Sequence, residues 1–138
     1  MASQGHKVVS HTADVRVEAW GPSREVCIAE AVLGMVEAFV DTESLHPDSV
    51  RYRRLDETDN EDLLIGVLDE VIYLLDTEEV VPVDVELEPD GNGIEVRFAV
   101  VDAGGALQTG AVPKGVSFHG LRFGPGAGGW SCSVVVDV

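Results

Sequence analysis

The spacing of apolar residues changes twice along this chain, and this pattern most constrains the fold. Near the start, Val15, Val17 and Ala19 alternate with polar residues, which is typical of a strand with one buried face. Two longer segments then place apolar residues three and four positions apart, as on one face of a helix. The rest of the chain returns to alternation. This order predicts an α+β fold, with two amphipathic helices packed on an antiparallel or mixed sheet.

Each predicted helix has its own beginning, end and apolar stripe. We expect the first helix to be capped by Ser23 and to end near Asp41. For the second, Thr58 and Glu61 predict a capping box, and the pattern ends near Asp76. The stripes expected to face the core are Ile28, Val32, Met35 and Phe39 in the first helix, and Leu64, Leu68, Val71 and Leu75 in the second.

The segments outside the helices predict strands and turns. The polar segment between the helices predicts a loop with a short strand near residues 50–54. Alternating runs predict further strands over residues 83–87, 94–100, 116–123 and 130–138, separated by turns rich in Gly, Asn and Asp. A chain of 138 residues is the size of one compact unit, so we expect a single domain over residues 1–138.

The charge balance limits the partners of this chain. It has 9 basic and 25 acidic residues, which gives a formal net charge of −16. Because affinity for nucleic acids comes largely from Lys and Arg at phosphates, we expect no autonomous nucleic-acid binding and no attraction to anionic membranes. The composition suits a basic protein partner, a cation, or an acidic surface that serves solubility alone.

Two cysteines are too few for a disulfide framework. Cys27 lies in a helical pattern and Cys132 in a strand pattern, so we expect both to be small buried apolar residues in a reducing compartment. No apolar run approaches the roughly 18 residues of a membrane span. The first residues contain no apolar signal region, and we expect a cytoplasmic protein.

Two segments place candidate metal ligands next to each other. His11 and Asp14 precede the first strand, and their side chains suit either a cation site or a hydrogen-bonded turn. Asp137 ends an apolar strand and is followed by the carboxylate of Val138. Neighbouring carboxylates repel unless a positive group lies between them, and oxygen ligands select hard cations such as Ca²⁺ or Mg²⁺. The alternative is a frayed polar strand end.

A third segment, from Lys114 to Gly120, carries Ser117 and His119. In an extended strand these two side chains share one face, and their Cα atoms are about 6–7 Å apart. Nothing in the sequence marks an orienting acid or a strained serine turn, so a hydrolytic Ser/His pair is the weaker interpretation. A structural or partner-contacting histidine is the stronger one. The sequence contains no phosphate-binding loop, no dinucleotide fingerprint and no CxxC motif.

Taken together, these segments resemble the archease family over nearly the whole chain. The matching blocks are His11-Thr-Ala-Asp14, residues 31–39, Glu61-Asp-Leu-Leu64, Leu68-Asp-Glu-Val-Ile-Tyr73, Lys114-Gly-Val-Ser-Phe-His119-Gly120, and Trp130 through Asp137-Val138. Two positions depart from the usual family pattern: Phe118 stands where a tyrosine is usual, and Val138 where isoleucine is common.

The resemblance implies a protein cofactor, not an enzyme. Archeases activate the GTP-dependent RNA ligase that joins 2′,3′-cyclic phosphate or 3′-phosphate ends to 5′-hydroxyl ends in tRNA splicing and RNA repair. They promote guanylylation of the ligase and its multiple turnover. Carried onto this chain, the family's metal site for Ca²⁺, Mg²⁺ or Mn²⁺ falls on Asp14, Asp137 and the carboxylate or carbonyl of Val138. Lys114 and His119 match a block expected near the ligase, and His11 belongs to the first matching block.

Two other classes of function remain open from the sequence. One is a chaperone-like binding module that modulates another RNA-processing enzyme, such as a tRNA methyltransferase. The other is a stand-alone enzyme that uses Ser117 and His119. The basic cluster Arg51, Arg53 and Arg54 has no role in the family pattern and is too small to offset the acidic balance.

Overall fold

The computed structural model describes residues 3–10, 14–56 and 59–138. Within these ranges the chain forms nine β-strands and two α-helices. In chain order they are β1 Gly5–Ser10, β2 Asp14–Gly21, α1 Arg24–Glu37, β3 Val40–Asp41, β4 Ser49–Leu55, α2 Asn60–Glu78, β5 Val80–Asp90, β6 Gly93–Asp102, β7 Leu107–Gln108, β8 Gly115–Gly126 and β9 Gly129–Asp137.

The described strands form one large, one intermediate and one very short sheet. The four-stranded sheet has the order β1-β2-β9-β8, the three-stranded sheet the order β4-β6-β5, and β3 pairs with β7. Every pairing is antiparallel. The predicted α+β class with two helices on an antiparallel sheet is therefore confirmed, although the strands divide into separate sheets.

Both helices pack against strands of both larger sheets, and the core lies between these layers. Helix α1 contacts β2 and β5, and α2 contacts β8, β5 and β4. The predicted stripes face this core: their members are buried, except Leu75, which is half-buried at its edge. Since a helix of this length is held mainly by packing of its apolar face, these stripes position both helices.

The structure confirms the predicted start of α1 and shortens its end. The Ser23 hydroxyl accepts a hydrogen bond from the Val26 N–H at 3.1 Å, as expected for an N-cap. The helix ends at Glu37, because Val40 and Asp41 pair with Gln108 and Leu107 in the β3–β7 ladder. The Phe39 carbonyl accepts a hydrogen bond from the Thr109 N–H at 2.8 Å, beside the short β3–β7 ladder.

Helix α2 begins one residue later than predicted and ends two residues later. Thr58, the predicted cap, lies outside the described residues, and Asp59 occupies the N-cap position. Its carboxylate accepts the N–H groups of Glu61 and Asp62 at 2.8 and 3.1 Å. The helix stops at Glu79, whose backbone is left-handed with φ 56°.

The edge strand β1 was not predicted, because its residues show no clean alternation. It is tied to α1 through His6, whose Nδ1 lies 2.9 Å from Glu30 Oε1 and whose Nε2 contacts Glu37. A histidine held between two carboxylates on a neighbouring helix is a tertiary contact, so a local sequence pattern cannot predict it.

The basic cluster of the sequence has a structural role. Arg51 and Arg53 reach from β4 to α2 and pair with Glu78 at 2.6 and 3.4 Å, and Arg53 also pairs with Glu70 at 3.3 Å. The hydrogen bond from Arg51 lowers the pKa of the Glu78 carboxyl below its usual value. Arg54 instead pairs with Asp56, which follows β4, and with Asp90 at the β5–β6 turn.

No helix among the described residues is long and apolar enough to cross a membrane.

Candidate functional site

One face of the four-stranded sheet points away from both helices. Residues such as Val17, Ala19, Cys132, Val134 and Val136 are buried toward the helices, so the residues between them point to the other side. We call this side the outer face. Its members are Lys7 and Val9 on β1, Asp14, Arg16, Glu18 and Trp20 on β2, Ser117 and Arg122 on β8, and Ser131, Ser133, Val135 and Asp137 on β9.

The structure brings the two predicted acidic ligands together at one end of the outer face. Asp14 is the first residue of β2 and Asp137 the last of β9, and they are direct register partners. Cβ atoms of such partners are about 4.5–5.5 Å apart, so the two carboxylates are neighbours on the same side of the sheet. Asp14 is half-buried and Asp137 is exposed, so solvent or a partner reaches the pair from the open side.

The third strand at this end leaves the flank of Asp137 open. Gly115 is the register partner of Asp137 on β8, and a Cβ built there would lie 4.0 Å from Asp137 Oδ2. The preceding residue, Lys114, donates its backbone N–H to the Asp137 carbonyl at 2.7 Å, and its side chain is exposed. Lys114 therefore lies at the same end of the sheet as the carboxylate pair, as does Val138, which follows Asp137.

His119 lies on an irregular part of β8 and not on the regular ladder that the sequence predicts. The register between β8 and β9 shifts between Ser117 and Arg122, and Gly120 adopts φ 72° within the shift. The Ser117 hydroxyl accepts a hydrogen bond from the backbone N–H of His119 at 3.0 Å. In the described residues this hydroxyl has no bond to the imidazole, so the geometry gives no support to a Ser/His nucleophile.

Phe118 and His119 are exposed at this bulge, with 57% of Phe118 accessible to solvent. A bulge turns side chains away from their usual positions and often marks a functional edge. An aromatic ring and an imidazole exposed on a sheet edge suit contact with another molecule better than internal packing.

The carboxylate pair fits a hard cation. Two acids directly opposite each other repel, and a bound cation removes that repulsion. In the described part of the chain, no three His, Cys, Asp or Glu side chains form a metal-binding group. The side chains that a cation could use at this end of the sheet are therefore the two carboxylates of Asp14 and Asp137. Mg²⁺ typically binds one or two carboxylates and completes its shell with water and phosphate, which matches such an open site.

His11, Thr12 and Ala13 lie outside the described residues, so the predicted role of His11 is untested. Arg16, which was not singled out from the sequence, follows Asp14 by two residues and lies on the same face. The alternation of β2 was sufficient to find it, since residues two apart in a strand share a face.

The outer face differs in charge from the rest of the molecule. In the described ranges, the outer face carries Lys7, Arg16 and Arg122, and Lys114 lies at its end. Four of the nine basic residues of the chain therefore lie here. The same area carries Asp14, Glu18 and Asp137, three of the 25 acidic residues. With four basic and three acidic residues, it repels an anionic partner less than the average of the chain, which has 9 basic and 25 acidic residues.

Comparisons of the chain with protein families and known sequences agree with each other. The model of the archease protein family matches residues 6–138. The chain is 53% identical over 136 residues to a "Probable protein archease" of Mycobacterium tuberculosis, covering 99% of this chain and 76% of that protein. It is 31% identical over 147 residues to "Protein archease" of Methanosarcina barkeri, covering 100% of both chains.

Solved structures show the same fold. The solution structure of protein 1598 of Methanobacterium thermoautotrophicum superposes with a TM-score of 0.77 at 23% identity, covering 97% of this chain and 99% of that one. The crystal structure of an archease of Thermotoga maritima, described as a possible chaperone, gives a TM-score of 0.67 at 21% identity, covering 96% of both chains.

Proposed function

The chain belongs to the archease family, and from that premise we propose that it is a non-enzymatic protein cofactor of a GTP-dependent RNA ligase. This ligase joins 2′,3′-cyclic phosphate or 3′-phosphate ends to 5′-hydroxyl ends. The observation that carries the proposal is the direct pairing of Asp14 with Asp137 at an open end of the sheet. A cofactor that presents a cation to another protein's nucleotide needs such a solvent-facing pair of carboxylates.

In this proposal Asp14 and Asp137 hold the cation, and the main-chain oxygen of Val138 completes the protein's share of its ligands. A bound divalent cation neutralises and polarises phosphate oxygens during phosphoryl transfer. The open side of the site leaves room for those oxygens. Lys114 and His119, both exposed, are the proposed contacts to the ligase near its nucleotide.

The charge distribution supports an activating role and not independent RNA binding. With a formal net charge of −16, the chain as a whole repels RNA. The outer face is the exception, because Arg16, Arg122 and Lys114 lie there outside the ion pairs of the described chain. That face can approach a ligase that already holds GTP and RNA, both anionic, with less repulsion than other surfaces.

The experiment is multiple-turnover joining of a 2′,3′-cyclic phosphate RNA to a 5′-hydroxyl RNA by the ligase of the same organism. The chain is added below the concentration of RNA, in Mg²⁺, Mn²⁺ or Ca²⁺. We expect substoichiometric chain to increase both turnover and guanylylated ligase. Asp14→Asn and Asp137→Asn each remove one ligand with little change in shape, so each should abolish most of the activation.

The matched control is Glu18→Gln, which removes one acid from the same strand and face as Asp14 without touching the pair. It should activate like the parent chain. A folded Asp14→Asn variant that activates fully would refute the cation role, whereas a parent chain that activates nothing would refute the ligase itself as partner.

A chaperone-like role in binding another RNA-processing enzyme is the second candidate, and the description of the Thermotoga maritima archease as a possible chaperone favours it. It predicts capture of a partner that is unaffected by Asp14→Asn or Asp137→Asn. Capture that is lost in both variants would argue against it.

A further inference from the structure

The strand β5 has one edge that no other described strand uses. It is the last strand of the three-stranded sheet and pairs only with β6 in the described part of the chain. The backbone N–H and C=O groups of its other edge take part in no described ladder or loop hydrogen bond. Pro82 and Pro89, which have no N–H, bound this edge, and every residue from 83 to 88 has one. Such a stretch is a template for another extended chain.

A groove runs between this edge and helix α1 in two parts, of about 280 and 170 Å³. The strand residues that border it are 85–88 in the wider part and 82–83 in the narrower part. Because the side chains of 85–88 alternate between the two faces of the strand, this space lies along the edge of β5 and not over one face. The apolar helix residues that border the groove recur three or four positions apart: Val26, Ala29, Leu33 and Val36. We call the two parts together the β5 groove.

The floor of the β5 groove is apolar and partly open to solvent. Val83 and Leu87 on β5, and Ala29 and Leu33 on α1, pack against the core but are only half-buried. Covering this apolar surface removes it from water, which favours association with a partner.

Acidic side chains alternate with the apolar ones along the same strand. Asp84, Glu86 and Glu88 are exposed, and none of them has an ion pair among the described residues. Arg97 is the register partner of Glu86 on β6, but no described ion pair joins the two. A strand added to β5 would place its own side chains beside these three carboxylates, since neighbouring strands share their faces.

The charges decide which extended chain suits this edge. A second copy that paired through β5 would place acids beside acids, and like charges in that position destabilise a sheet. Two chains with a formal net charge of −16 also repel each other. A segment with Lys or Arg on one face and apolar residues on the other matches both the carboxylates and the floor of the groove.

We propose that the β5 groove binds an extended segment of a partner protein, about six residues long, in which apolar residues alternate with Lys or Arg. The segment adds a strand to β5. Its apolar side chains cover the floor of the groove, and its basic side chains lie beside Asp84, Glu86 and Glu88. The inference is independent of the proposed function, because the groove lies on α1 and β5, whereas the proposed cation site lies on β2 and β9.

The test uses a short fluorescent peptide of alternating valine and lysine, titrated with the full chain at low salt. Fluorescence anisotropy measures its affinity, and hydrogen–deuterium exchange with and without the peptide shows where it binds. We expect the amides of residues 83–88 to become protected while the four-stranded sheet keeps its exchange rates. Binding without protection of residues 83–88 would refute the assignment to the β5 groove.

The matched control peptide has the same sequence but is methylated at every backbone nitrogen. It keeps the charge and the side chains and cannot donate the hydrogen bonds of a ladder, so we expect it to bind far more weakly. Equal affinity of the two peptides would mean that only general attraction to an acidic chain is measured, and it would overturn the proposal.

Variants of the chain test the role of the acids. Glu86→Gln combined with Glu88→Gln should weaken binding of the unmodified peptide roughly fivefold, since each exposed ion pair contributes little by itself. Asp62→Asn combined with Asp76→Asn removes two exposed acids of α2, outside the lining of the groove, and should change the affinity little. Equal weakening in the two double variants would contradict recognition at β5.

The parent chain without peptide provides the last control. We expect exchange at residues 83–88 to be independent of the concentration of the chain. Protection of these residues that grows with chain concentration would assign the edge to a second copy and overturn the proposal of a basic partner segment.

Discussion

At the residue scale, the carboxylates of Asp14 and Asp137 at the end of the outer face lower the stability of the sheet, and they are also the proposed cation ligands. Asp14 and Asp137 face each other across two antiparallel strands, and like charges in this position destabilise a sheet. Neither carboxylate has a described ion pair with Arg16 or Lys114. The proposed cation site explains why two acids that repel each other stand in this position. A bound cation would remove the repulsion between the two carboxylates and so restore the stability that the repulsion costs.

Asp137→Asn should make the metal-free protein more stable. In EDTA we expect its free energy of unfolding to rise by roughly 0.2–1 kcal/mol, because one of two opposed charges is removed. Added Mg²⁺ should stabilise the parent chain and leave the variant nearly unchanged. Urea unfolding with and without Mg²⁺ measures both effects. Glu18→Gln, which also removes one charge, controls for general repulsion, and an equal gain in that variant would contradict the pairwise explanation.

At the scale of elements, the position of α1 on the four-stranded sheet depends on a close approach at Gly34. A Cβ at this position would lie 2.8 Å from Val17 Cγ1 and 3.2 Å from His6 Cβ. Both neighbours are held in place, since Val17 is fully buried and His6 is fixed by its two glutamates. The glycine therefore sets how near the helix lies to β1 and β2, although glycine is a poor helix former.

Gly34→Ala should lower the free energy of unfolding by roughly 1–3 kcal/mol, because the added methyl overpacks a fixed contact. Gly66→Ala in α2 is the matched control: its nearest contact is the terminal Cδ2 of Leu55 at 2.7 Å, which can rotate away. There the better helix propensity of alanine should add up to about 1 kcal/mol. Urea unfolding of both variants checks this, and a neutral Gly34→Ala would show that α1 can shift.

Over the whole molecule, acidic charge is in large excess, with 25 acidic residues of which three lie on the outer face. Among the described residues, Arg24, Arg51, Arg53 and Arg54 are engaged in ion pairs. A formal net charge of −16 on 138 residues then leaves mutual repulsion among the remaining acids. Self-repulsion of this kind keeps a protein soluble and weakens its compact state.

The melting temperature should therefore rise with NaCl, as the Debye length falls from about 30 Å at 0.01 M to about 10 Å at 0.1 M. A double variant, Glu43→Gln with Glu88→Gln, removes two exposed acids and should rise less steeply. Scanning calorimetry across the salt series measures both slopes. A melting temperature that falls as salt is added would mean that the ion pairs of β4 with α2 outweigh the general repulsion.

Local patterns in the sequence were sufficient for much of this molecule. The stripes of both helices, the Ser23 cap and the later alternating strands follow from periodicity, because burial of one face imposes the period of the element. The acidic residues of the candidate site were also visible, since Asp14 and Asp137 stand next to apolar alternating runs. The strand β1, the early end of α1 and the bulge at Gly120 were not, because each depends on a partner distant in sequence.

By itself the sequence determined which residues are apolar, where the elements begin and how acidic the surface is, since these are properties of neighbouring residues. The tertiary structure decided which distant residues meet. The antiparallel register of β2 with β9 places Asp14 opposite Asp137, and the packing of α1 on β2 places the Cys27 thiol 3.6 Å from the Ala19 carbonyl. Register and helix docking follow from the burial of the whole core, so no short stretch of sequence contains them.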